Sequence, residues 1–423
     1  MQERTYKRYL VYLLMVVLAF NQLDRFALGI VLQDIKIDLH LTDTQLGLLT
    51  GIAFAFFYAV MGMPIARWAD RGNRVTIISL TAALWSVAVA LCGVASSFLA
   101  LMWLRIAVAV GEAGCMPPAH SLIADEFPRE ERPRAVARYM LGAPLALTLG
   151  YFAAGWLNEL YGWRTTFVIL GLPGLALAAL VRFTLREPRR TSGLSPRGAH
   201  QTTPRLGEVV ATLSSNAAFR HLLICFSVWF FFAYGIVQWL PAFFIRSHGL
   251  KTGELGTWFG LIWGLAGGLG LYFGGELAVR RAAGDERRQL KGCAIAFSLF
   301  ALLTAAAFLA SNYHWAFAAL TLASFGGNMA QGPIFATTQT LVPPRMRAMS
   351  IAIVYLFANL FGMGLGPLAA GVLSDALRPW LGEESLRYAL VLLCPGYFWA
   401  AWHLWRAGRT VERDLQAAQL AAA

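Results

Sequence analysis

The side chains capable of chemistry are few, and they sit deep in apolar sequence. Asn21-Gln22-Leu23-Asp24-Arg25 is a polar island inside an apolar run from Tyr9 to Leu32. At about 1.5 Å rise per residue, a helix over that run is long enough to cross a bilayer. Charges in such a segment are costly and face a bundle interior or a watery cavity rather than lipid. Arg105 and Glu112 stand in a second apolar run, and their spacing of two helical turns puts both on one face, about 10 Å apart along the axis. Asn21 and Arg25 share a face at i and i+4. Packing these faces together predicts one pocket holding Asp24, Arg25, Arg105 and Glu112.

Two forces act on a carboxylate there: desolvation disfavours its charged form and a neighbouring arginine favours it. A balance that changes with conformation takes up a proton on one side of a membrane and releases it on the other. Glu112 is therefore the expected main proton carrier, with Asp24 coupled to it. Arg25 and Arg105, together with Asn21, are the expected counter-charges or holders of an anionic substrate group. The competing reading is a pair of permanent salt bridges that only tie helices together. A buried ion pair is often no more stabilising than packed apolar residues, so four such groups ask for a further reason.

Other chemistries find no support. There is no HExxH, no GxSxG with suitable partners, no P-loop and no cluster of metal ligands, so neither an enzyme nor a cofactor is expected. His120, the one histidine near the Glu112 run, reads as structural. The five cysteines lie in apolar runs without CxxC spacing and read as small packing residues. A channel would need a repeated filter-like segment, which is lacking. A non-transporting receptor remains a competitor, weakened by the missing large soluble domain.

The elements that must position these groups are membrane helices. Of 423 residues 58% are hydrophobic and only 14% charged, where a soluble protein carries about 25% charged residues. About twelve apolar stretches near 20 residues long can be counted. They cover roughly 9–33, 44–66, 75–96, 98–123, 135–157, 165–185, 221–245, 255–279, 292–310, 315–341, 348–373 and 388–405. The first continues through Asp24-Arg25 without a cleavage-like site, so no signal peptide is expected. The net charge of +12 is explained by topology. With the amino terminus in the cytoplasm, 27 of the 35 Lys and Arg fall on the cytoplasmic side, among them Arg4, Lys7 and Arg8 and the Arg129–Arg138 group. That is the positive-inside bias, and it puts both termini in the cytoplasm without calling on nucleic acid.

The polar interval from Arg186 to Arg220 separates six stretches from six. The expected domains are an amino-terminal bundle over 1–186, a linker over 187–216, a second bundle over 217–409 and a tail over 410–423. A short surface helix is expected near Pro204–Ser214. The halves echo each other at an offset of 209 residues: Leu41-Thr-Asp-Thr-Gln-Leu-Gly47 corresponds to Leu250-Lys-Thr-Gly-Glu-Leu-Gly256. Duplicated bundles of this kind bind substrate between them, near mid-membrane. Glycines in the runs Gly362–Gly371 and Gly150–Gly155 allow close helix packing, and Pro367 permits a bend.

The second half lacks the charges of the first. Ala233 stands at the position equivalent to Asp24, and Gly327-Asn328 near that of Glu112. It offers instead Tyr234, Gln238, Trp239, Asn328, Gln331, Tyr355 and Asn359 as an expected cavity lining, with Trp263 nearby. A charged wall and an amphipathic wall suit a substrate with an anionic head and a greasy tail.

The loop Ala66-Arg-Trp-Ala-Asp70-Arg71-Gly-Asn-Arg74 resembles the signature loop of the major facilitator superfamily, departing from it at Ala66, Trp68 and Asn73. Asp24-Arg25, Arg105, Gly111-Glu112-Ala113 and the Arg186-Glu187-Pro188 exit resemble, more narrowly, the spinster branch of that superfamily. The resemblance implies an all-α fold of twelve transmembrane helices in two six-helix bundles related by pseudo-two-fold symmetry. It implies a proton-linked secondary transporter, working by alternating access as a monomer in the bacterial inner membrane. Spinster proteins of animals are associated with export of sphingolipid phosphates and lysophospholipids, so the implied partners are the bilayer, protons and an amphipathic anion. Small organic anions such as sugar acids are the alternative substrate class. Asp70, Arg71 and Arg74 are, by the same resemblance, a latch that supports one conformational state; a simple topology-setting charge cluster is the other reading.

Overall fold

The computed structural model describes residues 2–128, 130–188, 206–282, 284–343 and 346–420. Most of the expected linker lies outside them. Every regular element among the described residues is helical. The chain resolves into two compact units, one of Met1–Gly198 with Gly249–Gly260, the other of Ala199–His248 with Leu261–Ala423.

The first unit contains α1 (Gln2–Leu39), α2 (Asp43–Thr50), α3 (Ile52–Arg71), α4 (Arg74–Cys92), α5 (Phe98–Glu112), α6 (Met116–Glu126), α7 (Arg132–Met140) and α8 (Gly142–Thr184). Local sequence fixes where these begin. Thr42 and Gln45 form a reciprocal capping box on α2, and the side chains of Asn73 and Ser97 cap α4 and α5, each satisfying amides the first helical turn leaves without partners. The 43 residues of α8 are too many for one crossing; Gly162 breaks it with φ of 76°, a left-handed conformation that glycine adopts without strain. Nine helical stretches among the described residues are long and apolar enough to cross a membrane. Two of them, Arg134–Thr184 and Met349–Gln416, each hold a pair of the expected spans. Tyr313–Thr340, also helical, supplies the remaining expected span.

Residues 249–260, expected within the second bundle, cluster with the first unit. The reason is glycine. The helix Thr252–Phe259 packs on α8 with Gly256 against Gly155, and a Cβ on Gly256 would lie 3.0 Å from the Gly155 Cα. Asn158 of α8 donates to Thr252 Oγ1 at 3.2 Å and also to Asp34 of α1. Glu159 accepts the Gly253 amide at 2.9 Å.

The second unit contains helices Leu206–Ser215, Ala217–Val237, Leu240–His248, Gly267–Ala282, Glu286–Leu309, Tyr313–Thr340, Arg347–Phe357, Gly364–Leu381, Ser385–Leu393 and Gly396–Leu420. The first matches the short helix expected near Pro204–Ser214. Two spans carry π-helical turns, Gly260–Ala266 and Ala358–Met363. Such turns leave backbone groups out of register and occur frequently at functional sites. Periodicity alone did not announce them.

Candidate functional site

The first unit gathers the four predicted charges between α1 and α5. Arg25 donates to Glu112 Oε2 from Nε at 2.8 Å and from Nη2 at 2.5 Å. Arg105 donates from Nη1 to Asp24 Oδ2 at 2.5 Å. Asn21, one turn before Arg25, reaches the Glu112 carbonyl from Nδ2 at 3.4 Å. Glu112 is 0% exposed, Arg105 2% and Asp24 3%, so the Arg105–Asp24 pair is cut off from solvent. Arg25 keeps 22% of its side chain accessible.

Close packing holds α5 in this register. A Cβ on Gly111 would sit 2.7 Å from the Trp85 amide nitrogen, so only glycine lets α5 approach α4 and turn Glu112 toward α1. Two aromatic rings on α3 complete the surroundings. The Arg25 guanidinium lies 4.5 Å from the Phe54 ring centre and 4.9 Å from that of Tyr58, and Arg105 lies 5.1 Å from Phe54. These cation–π contacts stabilise the arginines where water is excluded. Sequence reading missed both rings, because the run Phe54–Tyr58 gives no sign of which aromatics face lipid; its neighbour Phe56 is 47% exposed.

The satisfaction of the cluster is incomplete. Asp24 Oδ1, Glu112 Oε1 and Arg105 Nε are buried without a hydrogen-bond partner. Each carboxylate therefore presents one oxygen to its arginine and leaves the other unmet. A proton delivered to an unmet oxygen would add a donor and weaken the tie to arginine at the same time.

The signature loop divides. Asp70 and Arg71 are exposed at the end of α3. Arg74, by contrast, is buried, with 0% of its surface exposed. Its amide donates to Glu187 at 2.7 Å, its Nε at 3.1 Å to the same carboxylate, and its Nη1 to Asp125 at 2.6 Å and to Ser121 at 2.9 Å. Three chain segments converge on one rigid fork, a geometry lysine lacks. The partners Asp125 and Glu187 lie 51 and 113 residues away, so spacing could not reveal them.

In the second unit, Tyr234, Gln238, Asn328, Gln331 and Asn359 are half-buried and Tyr355 is exposed. Asn328 Oδ1 accepts from Gln331 at 2.9 Å, and Tyr355 stacks on Phe335 with ring centres 5.4 Å apart. Asn359 lies on the π turn Ala358–Met363. Trp239 departs from the expected cavity lining. It is fully buried, and its indole N–H donates to the Pro367 carbonyl at 2.9 Å, so it packs against the start of the helix Gly364–Leu381 rather than lining space. The sequence also gave no sign of His221 and His403, whose Nδ1 atoms are 2.9 Å apart. No group of three or more candidate metal ligands occurs among the described residues.

Membrane-crossing helices with a buried, partly unsatisfied charge cluster define a membrane carrier. Residues 14–367 match the model of the Major Facilitator Superfamily. An MFS-type efflux pump of Mycolicibacterium smegmatis is 33% identical, covering 93% of this chain and 91% of the relative. Human protein spinster homolog 1 is 28% identical over 88% of this chain and 75% of the relative. The crystal structure of a bacterial homolog of the human lysosomal transporter Spinster aligns with a TM-score of 0.85 at 29% identity, covering 97% of this chain and 98% of that one.

The chain belongs to the major facilitator superfamily, with the all-α, twelve-helix, two-bundle fold of that family, and within it resembles the bacterial spinster branch. It is a multi-pass membrane transporter.

Proposed function

We propose that the protein is a proton-coupled secondary transporter of an amphipathic anion, of the lysophospholipid or sphingolipid-phosphate kind, working by alternating access. The observation that carries the reading is the unmet pair of oxygens, Asp24 Oδ1 and Glu112 Oε1, buried beside two arginines. Glu112 takes the proton, since it is wholly buried and its tie to Arg25 is the one nearest solvent. Protonation neutralises Glu112 and releases Arg25, which then holds the anionic head of the substrate. Loss of the proton restores the ion pair and expels the anion. Arg105, tied to Asp24 and less exposed than Arg25, keeps the second pair in place and couples the two acids.

The resemblance of Asp24-Arg25, Arg105 and Gly111-Glu112-Ala113 to the spinster branch, whose animal members are associated with lipid export, supports a lipid-like substrate. So does the neutral, aromatic and amide character of Tyr234, Gln238, Asn328, Gln331, Tyr355 and Asn359 in the second unit. Asp70 and Arg71 act in this reading as a latch favouring one conformational state. Both termini lie in the cytoplasm, on the positive-inside bias, in a bacterial inner membrane, and a single chain is the working unit.

The test is proton flux into proteoliposomes loaded with a pH-sensitive dye. Lysophospholipid or sphingoid phosphate is added in one arm and sugar acids in the other, each with wild type and Glu112→Gln. A Glu112-dependent signal with the lipid alone is expected. A signal with the acids alone moves the protein to organic-anion transport. A lipid signal that Glu112→Gln leaves unchanged removes Glu112 from the mechanism.

A further inference from the structure

The amino-terminal end of the first unit holds a second concentration of charge, which transport chemistry does not use. A cleft of about 530 Å³ lies between the first turns of α1 and the helix α7. Its walls are Arg4, Lys7 and Arg8 from α1 and Arg134 and Arg138 from α7, with Phe127 and Ala135 also lining it. Among the described residues, the carboxylates lining it are Glu3 and Glu131, and Glu3 already pairs with Lys7 at 3.1 Å. None of Arg4, Arg8, Arg134 and Arg138 has a side-chain partner among the described residues. Arg25, Arg74, Arg105 and Arg164 of the same unit, by contrast, each meet a carboxylate. Four guanidinium groups left without partners around one cleft repel one another unless an anion joins them.

The surroundings indicate what kind of anion. One turn beyond Arg8 on α1, Tyr12 is 49% exposed; one turn beyond Arg138, Leu141 is 57% exposed. Leu145 continues the exposed row along α8, where Gly142 packs against the Met15 carbonyl of α1. The basic cleft therefore runs into an apolar strip on segments that cross the membrane. A free anion has no use for that strip, whereas a phospholipid has acyl chains to lay on it, and basic pockets at the end of membrane helices hold acidic headgroups in this way. The site is separate from the proton-linked cluster: sixteen residues of one helix divide Arg8 from Asp24, about 24 Å at helical rise.

We infer that Arg4, Arg8, Arg134 and Arg138, with Lys7, form a binding site for the phosphate of an anionic membrane phospholipid. Occupancy bridges α1 to α7 and so steadies the end of the helix that carries Asp24 and Arg25.

Native mass spectrometry of the full-length protein, with phosphatidylglycerol or phosphatidylcholine added to the detergent micelle, reads the site directly. Wild type is expected to retain phosphatidylglycerol in preference to phosphatidylcholine. The triple change Arg8→Gln, Arg134→Gln, Arg138→Gln is expected to lower that retention roughly a hundredfold, from the ordinary worth of a basic side chain near an anionic surface. Arg280→Gln, in the second unit, is expected to leave it unchanged. If the triple variant does not fold, Arg8→Gln and Arg138→Gln singly are expected to lose about fivefold each. Equal retention of the two lipids, or full retention by the variants, overturns the proposal. Glycerol phosphate at millimolar concentration is the third arm: failure to displace the lipid is expected, and complete displacement would reassign the cleft to a soluble phosphate.

Discussion

The two units are built from the same kind of helix yet manage polarity in opposite ways. The first buries ion pairs, among them Arg25–Glu112, Arg105–Asp24 and Arg74–Glu187. The second keeps its described ion pairs at the ends of helices, each with at least one well-exposed partner, as in Arg280–Glu276 and Arg378–Glu383. At the position equivalent to Asp24 it has Ala233. Its irregularity lies in the backbone instead, in the π turns Gly260–Ala266 and Ala358–Met363 and the prolines Pro333 and Pro367. In the proposed mechanism the first unit contributes charges whose pairing changes, and the second unit contributes helices whose backbone is locally irregular. Placing these buried arginine–carboxylate pairs in one unit confines most of the desolvation cost to one place.

The sharpest way to break this contrast is to remove the proposed proton carrier. Glu112→Gln keeps the shape and is expected to reduce proton-driven transport to background while the protein still expresses and folds, measured by dye-reported flux and size-exclusion profile. Asp24→Ala strands Arg105 without its carboxylate. It is expected to cost about 3–5 kcal/mol of stability, with much of the loss recovered in Asp24→Ala/Arg105→Leu, as thermal unfolding in detergent would read. If the double variant is as unstable as the single, the stranded charge is not the cause. Ala233→Asp tests the other side by giving the second unit an acid with no arginine. The expected cost is about 2.5–3.5 kcal/mol, seen as lower expression and a lower unfolding temperature. Asp70→Asn is expected to change the accessibility of engineered cysteines without loss of folding; unchanged accessibility would end the latch reading. The smallest effect is expected at Asn328→Ala, which removes one amide contact with Gln331, worth about 0.6 kcal/mol inside a membrane bundle. Substrate affinity should move by less than about threefold.

Sequence by itself determined a good deal. Apolar length fixed the helices, because backbone amides in a bilayer have no partner but each other. The placement of Asp24, Arg25, Arg105 and Glu112 in those helices, with the helical period, determined that they would share a site, since no lipid-facing position tolerates them. What only the tertiary structure decided was pairing. Asp24 and Arg25 are adjacent in sequence yet point to different partners, because neighbouring helical residues diverge by about 100° and the depth of α5 against α1 then selects who meets whom. That depth depends on Gly111 lying against Trp85, a contact between separate segments that no local pattern records. The same holds for Arg74, whose partners are distant in the chain, for Trp239, whose indole donates to the Pro367 carbonyl 128 residues away, and for the aromatic faces of Phe54 and Tyr58. A period tells which way a side chain faces along its own helix. What stands opposite is set by how helices pack, and only the folded chain supplies that.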